Sequence, residues 1–163
     1  MQVTAFKSWL DAGMPMGSCG SLGPDPLNAA PVCTSGTFSN VDEGSRMRPG
    51  DTCIHCHAQS GGEAPHFTIA GTLYPTGHEP IDCNGTSGPA QIVVTDAHGM
   101  VITLTPNSVG NFSSYAAVTF PITAKVVAGG RERDMTGAQT SGDCNACHTQ
   151  NGTSNAPGRI TMP

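Results

Sequence analysis

Gln91-Ile92-Val93-Val94-Thr95, then Asp96-Ala97-His98-Gly99-Met100, then Val101-Ile102-Thr103-Leu104-Thr105 is the stretch that decides the fold. Two short runs rich in β-branched residues stand on either side of a segment built of turn residues, which predicts an antiparallel hairpin. Working outward, Phe67-Thr68-Ile69-Ala70-Gly71-Thr72-Leu73-Tyr74 is another such run, closed by Pro75. Residues 116–119 and 122–127 supply a fourth and a fifth, interrupted at Pro121. Residues 67–128 therefore read as a small antiparallel β-sandwich, and the fold class as mainly β.

The flanks have a different texture. Val3, Phe6, Trp9 and Leu10 fall at helical spacing, and Gly13 and Pro15 close that short helix. Residues 14–49, and everything after Gly129-Gly130, read as polar coil with little helix. The organisation expected is a helix and coil arm (1–49), a first cysteine segment (50–66), the sandwich (67–128), and a second cysteine segment with a tail (129–163). With 21 glycines, 13 prolines and 12% charged residues, the chain suits turns and strands, and its low charge argues against disorder. The net charge of −5, with no basic run, gives no reason to expect nucleic acid as a partner. No apolar stretch is long enough to span a bilayer. The opening Met1-Gln2-Val3-Thr4-Ala5-Phe6-Lys7 lacks the apolar centre of a signal peptide, so the chain reads as mature, truncated or trimmed.

The chemistry is carried by a pattern that occurs twice. Cys53-Ile54-His55-Cys56-His57 and Cys144-Asn145-Ala146-Cys147-His148 both fit covalent haem attachment. Two thiols three positions apart reach the two vinyl groups of one haem, and the histidine that follows is placed to bind the iron through a neutral imidazole nitrogen. The covalent tether suits a chain too poor in large apolar residues to bury two free haems. The expected cofactors are thus two haem c groups, held by Cys53, Cys56, Cys144 and Cys147, with His57 and His148 as proximal ligands. A four-sulfur zinc site, a thioredoxin-type redox pair and structural disulfides compete, but none of them needs a histidine after each second cysteine.

Attachment of this kind takes place after export, which points to a periplasmic or extracellular protein. Of the seven cysteines, Cys19, Cys33 and Cys83 lie outside the motifs. Cys19 with Cys33 is the first choice for a disulfide, which leaves Cys83 free, paired between chains, or a partner of Cys19 or Cys33 instead.

The sixth iron ligands separate electron transfer from catalysis, because an open position admits a substrate. The candidates are His78, in the loop Thr76-Gly77-His78-Glu79-Pro80, then His66 and Met135. Met47 lies upstream of the first motif, His55 lies inside it, and His98 sits at a turn tip. Arg46, Arg48, Arg131, Arg133 and Arg159 flank the motifs in sequence and are equally readable as propionate partners or as solvated surface residues.

Ile69-Ala70-Gly71-Thr72-Leu73, Gly88-Pro89-Ala90-Gln91-Ile92-Val93-Val94-Thr95-Asp96 and Gly110-Asn111-Phe112 resemble the carboxypeptidase regulatory-like sandwich, an immunoglobulin-like or transthyretin-like fold. The wider arrangement resembles bacterial multihaem c-type cytochromes with such a sandwich between two haem motifs. Met47-Arg48-Pro49-Gly50 and Ala156-Pro157-Gly158-Arg159-Ile160 fit that picture. Phe6-Lys7-Ser8-Trp9-Leu10-Asp11-Ala12-Gly13 is similar to the helix that follows a haem site in many bacterial cytochromes, which implies a missing N-terminal haem segment. The resemblance implies electron transfer to other redox proteins or extracellular acceptors, not catalysis. It also implies a sandwich acting as a spacer between two haems, and copies joined head to tail in an extracellular filament. The rival is a dihaem peroxidase or a nitrogen-oxide reductase with one five-coordinate iron. A binding or adhesion module ranks last, for want of exposed aromatics on the strands.

Overall fold

The computed structural model describes residues 2–13, 30–62, 64–86 and 88–163. It is mainly β, as expected, with a helix α1 (Gln2–Asp11) at the start and two short motif helices, α2 (Cys53–Gln59) and α3 (Cys144–Cys147). The strands are β1 (Ile69–Tyr74), β2 (Ala90–Thr95), β3 (Val101–Leu104), β4 (Asn111–Ser114), β5 (Thr123–Ala128), β6 (Arg131–Asp134) and β7 (Ile160–Thr161). One sheet has the order β4-β1-β7 and the other β3-β2-β5-β6.

The β2–β3 hairpin forms where the sequence places it, with Ile92 opposite Leu104 and Thr95 opposite Val101. Its turn is organised by Asp96, whose carboxylate accepts backbone N–H bonds from His98, Met100 and Thr119. Those donors hold the Asp96 carboxyl below the usual carboxylate range. Along β2, Ala90, Ile92 and Val94 point inward and Gln91 outward, the period of a strand with one face on a core. Val126 and Ala128 of β5, Ile69 and Leu73 of β1, Phe112 of β4, and Ile122 complete that core between the two sheets.

Three features depart from expectation. The fourth strand is β4 rather than residues 116–119. Asn111-Phe112-Ser113-Ser114 has one apolar residue, Phe112, so no alternation announces it. Within residues 116–119, Thr119 is instead tied to the hairpin turn, donating to Asp96 and accepting from Ala97 N–H, while the Ala116 carbonyl accepts from the Thr68 hydroxyl. The four-stranded sheet also runs past 128. Gly129 and Gly130 have φ of 56° and 75°, the left-handed pair that a two-residue hairpin turn needs, and Arg131–Asp134 returns along β5. Its residues are all exposed and charged, so hydrophobic patterning was silent; a charged edge of this kind discourages pairing with other chains. Finally, β7 joins the other sheet in parallel to β1, with Leu73 opposite Ile160.

The disulfide is Cys33–Cys83, not Cys19–Cys33; Cys19 lies outside the described residues. The coil from residue 30 does not close on itself. It runs back along the loop after β1, where Asn84 N–H donates to the Thr37 carbonyl and Ser39 N–H to the Asp82 carbonyl. Buried Glu79 fastens the same place by accepting from the Thr34 N–H and hydroxyl and from the Thr76 hydroxyl. No helix among the described residues is long and apolar enough to cross a membrane.

Candidate functional site

All six residues of β1 are buried. Ile69 and Leu73 face the core, where Cys144 of α3 also packs, while Ala70, Thr72 and Tyr74 alternate to the other side; both motif helices contact this strand. The small residues of this strand have a purpose. A Cβ on Gly71 would lie 2.7 Å from the Phe112 ring and 2.9 Å from Cys144 Cβ. The second motif thus sits against β1 only because position 71 has no side chain.

The two motifs are neighbours. This overturns the expectation of a sandwich separating them. Asn145, in the second motif and 1% exposed, donates from Nδ2 to the Asp51 carbonyl (2.8 Å) and to the Thr72 hydroxyl (3.1 Å), and accepts from Thr72 N–H (3.1 Å). The same Nδ2 lies 3.8 Å from Cys53 Sγ, 92 positions away in sequence. Asp143 returns the interaction. Its Oδ2 accepts the His55 N–H (2.9 Å) in the first turn of α2, a place where Thr52 offers no side-chain cap. Burial pushes the Asp143 carboxyl up, against the pull of the N–H groups of His55 and Ile54.

The two terminal histidines have matching surroundings. His57 Nδ1 lies 2.9 Å from the Pro65 carbonyl, and His148 Nδ1 lies 2.9 Å from the Gly158 carbonyl. A carbonyl oxygen only accepts, so Nδ1 carries the proton in both rings and a neutral ring leaves Nε2 as the bare ligand nitrogen. The His57 ring also packs on Phe67, with centroids 5.1 Å apart, and Phe67 on Tyr115 at 5.0 Å. These aromatics belong to a cleft of about 350 Å³ beside the first motif, lined also by Met47, Cys53, Cys56, Pro65 and Phe112. Around the second motif, Thr153 binds the last carbonyls of α3, with its N–H to Cys147 and its hydroxyl to Ala146.

The four motif cysteines are not disulfide-bonded. Burial, then the charge of Asp143, pushes the thiols of Cys53 and Cys144 each up to about 12. Neutral sulfur is what these two positions favour. Among the described residues, the group of candidate ligands that does converge is Cys33, Glu79 and Cys83, where the two sulfurs are already a disulfide. A thioether sulfur would carry no charge, and each motif sets two cysteine sulfurs beside an oriented imidazole, a donor set that would fit haem c.

The remaining candidates scatter. His78 is partly buried, and its Nδ1 lies 2.9 Å from the Gln150 carbonyl, close to the second motif. His55, His66 and His98 are exposed. Met135 extends the β5–β6 pairing through its N–H to the Ala124 carbonyl, on the other sheet from the motif helices. Met47 reaches the cleft of the first motif instead. Of the arginines, Arg131 and Arg133 lie on the exposed edge strand, and Arg48 pairs with Asp51 (3.1 Å) and Asp82 (3.7 Å). Arg159 is 4% exposed and joins the two motif regions. Its Nε donates to the Glu79 carbonyl, and its Nη1 to the carbonyls of Gly50 and His148. Its guanidinium lies over the Tyr74 ring at 5.2 Å. Gly50, at φ 84°, is held between them, since a Cβ there would lie 2.5 Å from the Tyr74 hydroxyl.

Compared with protein-family models, with curated proteins and with solved structures, the chain matches none.

Proposed function

We propose that the chain is an exported electron carrier holding two covalently attached haem c groups. The observation that carries this reading is the repeated arrangement at His57 and His148: a Cys-x-x-Cys-His turn whose imidazole donates Nδ1–H to a backbone carbonyl from a later segment. That bond fixes the tautomer and the ring orientation, and it makes Nε2 a stronger donor to iron. Each thiol adds across one vinyl group, sulfur to one carbon and the thiol hydrogen to its neighbour, with no net oxidation. Haem, when bound, supplies the one-electron iron couple. The chain supplies the proximal nitrogens, the apolar wall of Phe67, Phe112 and Tyr115 beside the first motif, and a rigid frame that joins both motifs to β1.

The disulfide and the thioether chemistry agree with an oxidising compartment outside the cytoplasm. Partners of this carrier are redox proteins or extracellular acceptors that meet the side of the molecule where α2 and α3 lie. Head-to-tail copies in a filament would have to bring those sides together, because the sandwich does not hold the motifs apart.

The test is the mass of denatured, acid-extracted protein made in a host that attaches haem c. The expected result is a mass increase of two haems, falling to one when Cys53 and Cys56 are both changed to Ser. A chain that carries no added porphyrin overturns the reading.

A further inference from the structure

Three histidines of the described chain share one signature: the ring Nδ1 bonded to a backbone carbonyl, with Nε2 left over. Two are His57 and His148. The third is His78, at 2.9 Å from the Gln150 carbonyl. Among the described residues, the rings of His55, His66 and His98 have no such bond, and all three are exposed.

The loop that carries His78 is rigid. The Gly77 carbonyl accepts Arg159 N–H (2.9 Å), and the Glu79 carbonyl accepts Arg159 Nε (2.8 Å). The Glu79 side chain is fully buried and takes hydrogen bonds from Thr34 and Thr76. Four residues after Glu79, Cys83 anchors the far end of the loop through the disulfide to Cys33, with its sulfur 3.3 Å from the Glu79 carboxylate. A solvated surface histidine needs none of this. A metal-binding imidazole uses a held ring, because ligand geometry is set by the group that binds the other nitrogen, here the Gln150 carbonyl. The location agrees: His78 and His148 are both hung on residues 148–159, one through Gln150 and the other through Gly158.

We propose that His78 is an axial iron ligand, with Nε2 presented to a haem iron and Nδ1–H held by Gln150. This rests on the haem reading above. It leaves two sources for the iron, the chain's own haem or that of a second copy, and the ligand chemistry is the same for both.

The experiment uses haem-loaded protein with both haems verified by mass, so that failure of attachment and failure of this assignment are separate results. His78→Asn keeps an amide N–H for the Gln150 carbonyl and removes the ligating nitrogen; His78→Ala removes both. In each variant one of the two haems is expected to turn high-spin in the visible and electron paramagnetic resonance spectra. Added imidazole should return it to low-spin, and a melting curve unchanged from wild type in His78→Asn separates loss of the ligand from a structural defect. Dilution of the wild-type protein assigns the source: a low-spin spectrum independent of concentration places the iron in the same chain, and loss of one low-spin haem on dilution places it in a second copy. Fully low-spin spectra in both variants, with both haems attached, overturn the assignment.

Discussion

Asn145 offers the sharpest test of the interlocked motifs, because the attachment chemistry itself makes no demand on its position. Changing it to Ala removes hydrogen bonds of 2.8, 3.1 and 3.1 Å and leaves the Thr72 N–H buried without its partner. At about 1 kcal/mol net for each bond, the loss is about 3 kcal/mol. The folded-to-unfolded ratio then falls by more than about a hundredfold. In urea, with a slope of about 2 kcal/mol per molar for a chain of this size, the midpoint should drop by about 1.5 M. Asn145→Asp should be at least as costly, since it sets an acceptor against the Asp51 carbonyl. The assay is equilibrium unfolding of the haem-loaded protein followed by strand circular dichroism, with exposed Gln59→Ala as a control expected within about 0.5 kcal/mol. An Asn145→Ala midpoint as close to wild type as that control would refute the claim that this side chain fastens the two motifs together.

Replacing Cys33 and Cys83 by Ala opens a 50-residue loop and should cost about 4 kcal/mol, read as a drop in melting temperature that a reducing agent reproduces in the wild type; equal melting with and without reductant would contradict it. Gly142→Ala should prevent the second motif from docking, because the new Cβ would overlap the Thr68 carbonyl; a normal melting curve would show that β1 and the motif can separate at little cost. The Asp96 carboxyl is held below its unfolded value, so its contribution is complete above about pH 4 and is lost as the pH falls through the lower folded value. Asp96→Asn should therefore weaken the acid dependence in that window, and an identical pH profile of stability would count against the turn geometry.

The sequence discloses elements in proportion to how much apolar patterning they contain. β1, β2, β3 and β5 are legible because Ile69, Ile92, Val94, Ile102, Leu104 and Val126 pack in or against a core. β4 and β6 are not, since one has a single inward residue and the other is a charged edge; the Gly129-Gly130 pair was the signal available for the latter. At the site, the six cysteines and histidines of the two motifs can be read from spacing alone, because the pattern is contiguous in the sequence. Their mutual position cannot. Asn145, Asp143 and Thr72 look like ordinary polar residues until the fold brings segments about 90 positions apart together. Phe67 reads as a strand residue and serves instead as a wall for His57. Arg159, one of five arginines with equal claims in the sequence, stands apart only through its burial between Glu79, Gly50 and His148.

The parallel strand β7 imposes an order of assembly. Until Gly158 to Thr161 have docked, β1 lacks a neighbour at Leu73 and Tyr74, His148 lacks its carbonyl, and Gly50 lacks the guanidinium of a residue 109 positions away. One short segment therefore closes contacts with three parts of the chain at once, so that the sheet, the second motif and the approach to the first are completed together.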